Sequence, residues 1–142
     1  FNGCNALAYL EIPSSVAKIE EHAFDGHLSI KKIKIPFSVK ELGRYSFDGC
    51  TSLIQIELSP SLTKIDEGTF NGCSSLLQIT IPLSVTEICG SAFSFCSSLT
   101  QVIIESSVTK IGGSAFSGCS SLVSIEIPST VTYIGGYAFS RC

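Results

Sequence analysis

Residues 115–135 read AFSGCSSLVSIEIPSTVTYIG, and this stretch predicts the fold because it returns, with substitutions, at a fixed interval along the chain. Phenylalanine recurs every 23 residues, and three residues after each phenylalanine stands a cysteine or, in one case, a histidine. These two columns are Phe1, Phe24, Phe47, Phe70, Phe93, Phe116 and Phe139, followed by Cys4, His27, Cys50, Cys73, Cys96, Cys119 and Cys142. Self-similarity at a period of roughly 20 to 50 residues is typical of stacked repeat architectures. The 142 residues therefore comprise six full repeats and four further residues.

Each repeat carries eight positions that are apolar or nearly so, and Leu76, Ile79, Ile81, Val85 and Ile88 represent five of them in one repeat. A unit of 23 residues is too short to bury eight such side chains within itself, so they leave water only by stacking against equivalent positions of neighbouring units. We therefore predict that residues 1–142 form one continuous solenoid.

Local patterns divide the repeat into two strands and a turn. Residues 76–81 (LLQITI) alternate isoleucine with polar side chains, which predicts a strand with one buried face. A second, shorter strand is predicted at residues 85–88 (VTEI). In residues 113–119 (GSAFSGC), small and apolar side chains stand at positions i, i+1 and i+4 of one helical face, which predicts a short α or 3₁₀ turn.

Composition excludes several classes of protein. With 44% apolar and 15% charged residues, the chain lacks the signature of intrinsic disorder. No run approaches the roughly 18 uninterrupted apolar residues of a membrane-spanning helix, so no transmembrane segment is predicted in this fragment. The net charge of −3 gives no general attraction to nucleic acid. A local basic patch lacks an interleaved aromatic platform, so nucleic acid is not a predicted partner. The patch consists of Lys31, Lys32, Lys34, Lys40 and Arg44.

Three elements recur in fixed phase: Ala-Phe-x-x-Cys, Leu-x-x-Ile-x-Ile-Pro and Val-Thr-x-Ile-Gly. Their combination resembles the BspA-like leucine-rich repeats, which occur in surface proteins of host-associated bacteria and protists, and the resemblance covers the whole chain. It implies a curved, right-handed coil with parallel sheets whose work is adhesion or protein binding and not catalysis. With the strands and turn above, the predicted fold class is an α/β-type leucine-rich-repeat right-handed solenoid. It has two short parallel β-sheets, is mostly β by content, and has one short α or 3₁₀ turn per repeat.

The resemblance favours a non-enzymatic protein-binding or adhesion module, part of a cell-surface BspA-like antigen. Its partner would be a host or extracellular protein or a larger assembly, and the expected location is the cell surface or secretion. An intracellular scaffold or structural solenoid is the alternative, favoured by several free thiols and the lack of an Asn-x-Ser/Thr site. Family members are often long and neither end carries a polar capping unit, so we expect an excerpt of a longer array without capping repeats.

The outward-facing positions of the first strand are the candidate partner-binding face. They vary from repeat to repeat while the core positions do not, and a rigid sheet presents them at intervals of about 5 Å. These positions are Tyr9, Lys32, Lys34, Gln55, Glu57, Gln78, Thr80, Gln101, Ile103, Ser124 and Glu126. The alternative is that Gln55, Gln78 and Gln101 simply hydrogen-bond to one another as a stacked amide ladder.

A neighbouring column contains Lys31 and is therefore not part of the core. Its apolar members Ile54, Leu77 and Val123, together with Ile103, predict an exposed apolar strip. Such a patch is typical of contact with a partner.

No catalytic, cofactor-binding or metal site is predicted. Cysteines one repeat apart would have parallel Cα–Cβ vectors, which suit neither a disulfide nor a tetrahedral metal site, so the column is interpreted as buried free thiols. His27 is interpreted as a polar substitution in that column, held by a hydrogen bond. Cys89 stands in a turn and is expected to be exposed. The Gly-x-Ser-x-Gly and nucleotide-binding glycine motifs do not occur.

The outward column of the second strand alternates in charge over five repeats: Lys18, Glu41, Lys64, Glu87 and Lys110. Stacking at about 5 Å would place each lysine beside a glutamate. Exposed pairs of this kind contribute about 0.2 to 1 kcal/mol each, so we interpret the alternation as a device that disfavours a slip by one coil.

Overall fold

The computed structural model describes residues 6–105 and 107–142, so Phe1 and Cys4 of the two repeat columns lie outside the described residues. Ten short strands follow one another along the chain. They are β1 (Lys18–Ile19), β2 (Lys32–Lys34), β3 (Glu41–Leu42), β4 (Gln55–Glu57), β5 (Lys64–Ile65), β6 (Gln78–Ile81), β7 (Glu87–Ile88), β8 (Gln101–Ile104), β9 (Lys110–Ile111) and β10 (Tyr133–Ile134).

The strands stack in parallel, and each residue lies beside its equivalent 23 positions away. Gln78 pairs with Gln101 in the first-strand column, and Lys64 pairs with Glu87 in the second-strand column. The 23-residue sequence period is therefore the length of one coil. This arrangement confirms the predicted solenoid with parallel strands.

Each of the two predicted sheets is interrupted once among the described residues. Backbone hydrogen bonds join β2 with β4 and β6 with β8, but β4 and β6 are not paired. On the other side β1 pairs with β3, while β5, β7, β9 and β10 form a four-stranded sheet. Both interruptions lie beside the third coil (residues 47–69), which contains β4 and β5. Residues 9–12 and 124–127, where the first and last coils would place their first strands, contain no strand.

The predicted α or 3₁₀ turn is wrong, and with it the α/β label of the fold class. Within the described ranges the segment before each cysteine contains turns and no helix. In residues 113–119 the backbone is left-handed at Ser114 (φ 56°) and at Gly118 (φ 78°). A right-handed helix cannot continue through such residues, so the i, i+1, i+4 spacing belongs to a different turn.

Hydrogen bonds between coils explain why this turn is not helical. The N–H of Phe116 donates to the carbonyl of Ala138 in the next coil at 2.8 Å. The N–H of the following residue, Ser117, donates back to the carbonyl of Ser114 at 3.1 Å. Alternate N–H groups therefore serve the next coil and the local turn, and the i→i−4 pattern of an α-helix does not form.

Stacked aromatic rings form the centre of the core. From Phe24 to Phe139, the centroids of neighbouring phenylalanine rings lie 4.9 to 5.5 Å apart and their planes differ by at most 19°. The strand side chains predicted to face inward surround this stack, with Leu76, Ile79 and Ile88 buried. The inward columns of the sequence are thus the core of the solenoid.

Two ion pairs between coils form along the alternating charges of the second strand. Lys18 Nζ lies 3.3 Å from Glu41 Oε2, and Lys110 Nζ lies 2.7 Å from Glu87 Oε1. Lys64 instead pairs with Asp66 of its own coil, with Nζ and Oδ2 2.8 Å apart. Lys64 does lie beside Glu87 in the strand register, as predicted, but its ammonium group pairs with Asp66 because that carboxylate stands only two residues along the chain.

His27 occupies the cysteine column and is fully buried. The expected hydrogen bond is not found within residues 6–105 and 107–142, where neither Nδ1 nor Nε2 has a partner. Cysteines of this column donate to the residue 26 positions earlier, which for His27 is Phe1, outside the described residues. Burial lowers the pKa of His27 below its ordinary value, because the charged imidazolium is the form that burial penalises.

We expect Leu76→Ala to lower the free energy of unfolding by about 2 to 5 kcal/mol, because it removes fully buried side-chain atoms and leaves a cavity. Gln78→Ala, on the exposed face of the same coil, should change it by no more than about 0.5 kcal/mol. Chemical denaturation of the two variants measures the difference. The opposite ranking would contradict the orientation of the strand.

We expect His27→Cys to raise the free energy of unfolding by about 1 to 3 kcal/mol, because it removes buried polar atoms that lack described partners. The lowered pKa of His27 means that the unfolded chain binds more protons below about pH 6.5. Stability therefore falls as the pH drops through that value, and the fall should shrink in the variant. Denaturation curves between about pH 5 and 8 test this. His22→Gln, at an exposed histidine, is the control; an equal effect there would contradict the assignment.

Candidate functional site

A groove runs along the first-strand side of the solenoid, between the outward faces of the strands and the turns that follow them. It consists of three adjoining depressions of about 640, 550 and 710 Å³. The first and second share Gln55 and Glu57, while the second and third share Leu83, Ile103 and Glu105. Six coils contribute to it, and their stacking gives a length of about 24 Å.

All eleven residues predicted for the partner-binding face line this groove. The first depression is lined by Tyr9, Lys32, Lys34, Gln55 and Glu57. The second adds two further predicted residues, Gln78 and Thr80. Gln101, Ile103, Ser124 and Glu126 line the third. Parallel stacking without lateral offset brings these side chains together, although they are spread over more than 110 positions of sequence.

The polar side chains of the groove are largely free to bind other molecules. Lys34 Nζ pairs with Glu57 Oε2 at 3.2 Å. In the described part of the chain the amides of Gln55, Gln78 and Gln101 make no hydrogen bonds to one another. The amide ladder that was the alternative interpretation of this column is therefore not formed, and the three amides retain their hydrogen-bonding capacity.

The opposite wall of the groove was not predicted from the sequence. Pro60, Pro82 and Pro128 line it, and so does Leu83, whose surface is 59% exposed. The available signal was the large apolar residue directly after Pro82, at a position that carries serine in the first and last repeats.

The predicted apolar strip is only partly realised. Leu77 and Val123 are 48% and 91% exposed, but Ile54 is half-buried. Thr100 occupies the position between Leu77 and Val123, so this column is not a continuous apolar surface. Ile103, at 46% exposure, belongs to the groove instead.

The cysteine column forms a chain of weak hydrogen bonds along the solenoid. Each described thiol donates to the carbonyl of the phenylalanine 26 residues earlier, with S···O distances of 3.1 to 3.3 Å. The donors are Cys50, Cys73, Cys96, Cys119 and Cys142, and all are free. Burial raises the pKa of the Cys73 and Cys96 thiols well above the ordinary value and that of Cys119 to about 12. These thiols therefore remain protonated and serve the core, a donor role that sequence reasoning missed.

Cys89 is half-buried, so the expectation of an exposed thiol is wrong. Burial, followed by the negative charges of Glu87 and Asp66, raises its pKa to about 11. A thiol with a raised pKa carries little thiolate at neutral pH, which is the opposite of an activated nucleophile.

Within the described ranges, no three His, Cys, Asp or Glu side chains form a group that could hold a metal ion. The same residues include no helix with the length and hydrophobicity needed to cross a membrane. The groove itself presents amides, one ion pair, free carboxylates and an exposed apolar pair.

Sequence comparison identifies the family to which the repeat corresponds. The chain matches the BspA type leucine-rich repeat region in six copies, over residues 1–120 and 88–142. The matching model describes a repeat region and not an enzyme family. None of the curated proteins matches the chain.

Solved bacterial structures share the fold. A leucine-rich cell surface protein from Faecalibacterium prausnitzii is 40% identical, with a TM-score of 0.80 over 94% of this chain and 35% of that one. A T. pallidum leucine-rich repeat protein is 31% identical, with a TM-score of 0.81 over 90% of this chain and 68% of that one. A leucine-rich repeat protein from Eubacterium ventriosum, at 24% identity, shows the fold alone, with a TM-score of 0.87 over 94% of this chain. The chain spans 35% and 36% of the F. prausnitzii and E. ventriosum proteins.

We expect all seven cysteines to be free, so a thiol reagent should titrate seven groups in protein unfolded without reductant. Among the described cysteines of native protein at neutral pH, the exposed Cys142 should react first and the half-buried Cys89 more slowly, while the buried thiols resist modification; these are Cys50, Cys73, Cys96 and Cys119. Cys142→Ser is the matched control and should remove the fast phase. Two or more thiols missing after unfolding would contradict the prediction.

Proposed function

The chain belongs to the BspA-type leucine-rich-repeat family, and we propose that it is a non-enzymatic protein-binding module that uses its groove for adhesion to another protein. The proposed contact residues are the eleven side chains of the first-strand face, from Tyr9 to Glu126, joined by Leu83 on the opposite wall. The backbone scaffold is the same in every coil, and the side chains in the groove differ from coil to coil. Specificity can therefore be encoded in the groove without altering the core.

One observation carries the proposal: side chains from six coils line a continuous groove whose polar groups mostly lack intramolecular partners. The three glutamine amides make no hydrogen bonds to described residues, and Leu83 and Ile103 are exposed beside them. Exposed apolar surface rimmed by polar groups is typical of protein interaction sites. A partner that satisfied the amides and covered the apolar pair would gain both hydrogen bonds and hydrophobic burial.

We place this module at the cell surface, as part of a surface antigen that binds a host or other extracellular protein. The F. prausnitzii relative, described as a cell surface protein, supports this location. Free thiols favoured an intracellular scaffold in the sequence analysis. The buried thiols do not discriminate between compartments, because buried thiols with raised pKa values resist oxidation in any of them. The lack of an Asn-x-Ser/Thr site still favours the scaffold.

We further propose that residues 1–142 act as one continuous binding unit with right-handed winding. The strands of successive coils are parallel, so each coil is a crossover connection within a sheet. Such connections are right-handed in about 98% of cases, because of the intrinsic twist of the strands.

Attachment of protein-coated beads to cultured epithelial cells and to immobilised secreted proteins tests this function. We expect Gln78→Arg/Gln101→Arg to reduce attachment at least about tenfold, a loss of about 1.4 kcal/mol, because two large charged side chains fill the middle of the groove. Thermal unfolding should show that the variant remains folded, since both positions are exposed.

Thr86→Arg/Thr109→Arg is the matched control, because it places the same two side chains at exposed positions directly before β7 and β9, on the second-strand side of the same two coils. This variant should attach as the original chain does. Equal attachment by both variants, or equal loss in both, would contradict binding through the groove.

A further inference from the structure

We infer that the C-terminal half of the groove, the two depressions that meet at Leu83 and Ile103, binds a basic extended segment of the partner protein. An apolar side chain of that segment contacts Leu83 and Ile103, and flanking lysine or arginine side chains meet Glu105 and Glu126. The inference rests on the proposed function, because it names the chemistry of the partner that the same groove binds.

The apolar anchor of this half is unusual for its column. Ile103 stands where the other coils carry Glu11, Lys34, Glu57, Thr80 and Glu126, so it interrupts an otherwise polar row. Leu83 faces the same space from the opposite wall, and both residues line the second and third depressions. Two exposed apolar side chains on facing walls provide a pocket for one apolar side chain of a ligand.

The charge of this half is uniformly negative. The second and third depressions are lined by Glu57, Glu105 and Glu126 and by no lysine, arginine or histidine. Glu57 is paired with Lys34 at the boundary with the first depression. Glu105 and Glu126 have no ion pair with any described residue. Two uncompensated carboxylates beside an apolar pocket are complementary to a cation next to an apolar group.

The other half of the groove has a different character and limits where such a segment binds. Lys32 and Lys34 line the first depression together with Glu11 and Glu57, so its charges balance, and Lys31 stands next to the two lysines in sequence. The first depression therefore offers a basic ligand no net attraction, whereas the last three coils do, so the segment binds at the last three coils. Two coil intervals span about 10 Å, which corresponds to three or four residues of extended chain.

An extended ligand can present the required groups at the required spacing. Alternate residues of an extended chain point to the same side and lie about 6.7 Å apart, so Arg-Ser-Leu-Ser-Arg directs both arginines and the leucine to one face. Its two arginines are about 13 Å apart along the backbone and can reach inward through their flexible stems. This sequence within a glycine and serine dodecapeptide is therefore a suitable probe.

The experiment measures binding of fluorescent dodecapeptides to the 142-residue chain. We expect the Arg-Ser-Leu-Ser-Arg peptide to bind with a dissociation constant below about 1 mM and to weaken as salt is added. Peptides with glutamate in place of arginine, or with serine in place of leucine, should bind at least about tenfold more weakly. Absence of binding by the basic peptide, or equal binding of the basic and acidic peptides, would overturn the inference.

Charge reversal gives a result that misfolding cannot imitate. Glu105→Lys/Glu126→Lys should lose the basic peptide and gain the acidic one, because it inverts the potential of the same pocket. Glu20→Lys/Glu21→Lys makes the same change in net charge outside the groove and should leave peptide binding within about twofold. A similar reversal of preference in that control would overturn the inference, since overall charge would then explain the binding.

The outcomes also separate this inference from the proposed function. If the peptides do not discriminate but bead attachment still depends on Gln78 and Gln101, the groove binds a protein of different chemistry and only the inference falls. If attachment does not depend on the groove at all, the proposed function falls as well.

Discussion

The whole structure depends on one constraint, which is that each coil stacks on the next without lateral offset. Every paired residue lies beside its equivalent 23 positions away, and the backbone hydrogen bonds between coils enforce this register. The phenylalanine stack and the groove follow from it, because any column of the repeat becomes a physical row. The hydrogen bonds of the cysteine column follow too, since a bond over 26 positions spans one coil of 23 residues plus the offset of three positions from phenylalanine to cysteine.

The sequence predicted burial well because burial in a stacked strand follows a period of two. Ile79 faces inward and Gln78 faces outward for reasons that a single repeat already contains. The turn could not be predicted in this way. Spacing within the repeat favoured a helix, but the N–H of Phe116 has a competing acceptor in the next coil at Ala138. The left-handed backbone at Ser114 could not be predicted from the sequence either, because serine rarely adopts that conformation.

The candidate site shows the same division between what one repeat contains and what only the assembly creates. The strand face of the groove was predictable, because outward columns follow from the period. The facing wall was not, since the distance between the strand and the proline turn is set by packing and cannot be inferred from spacing. Leu83 therefore emerged only from the structure, and with Ile103 and Glu105 it joins two depressions into one groove. His27 is comparable, because its column predicted burial but could not specify a partner for its nitrogens.

The turns have an electrostatic consequence. Their N–H groups at Ser91, Phe93 and Phe95 all donate towards the next coil, and the equivalent groups of the other coils do the same. Peptide dipoles on this side of the molecule are therefore aligned along the solenoid axis, as they are in an α-helix. Because the donors point towards the later coils, the positive pole lies in the direction of the C-terminus, which is opposite to the polarity of a helix. On this side of the molecule the two directions along the solenoid are thus electrostatically different even before any charged side chain is considered.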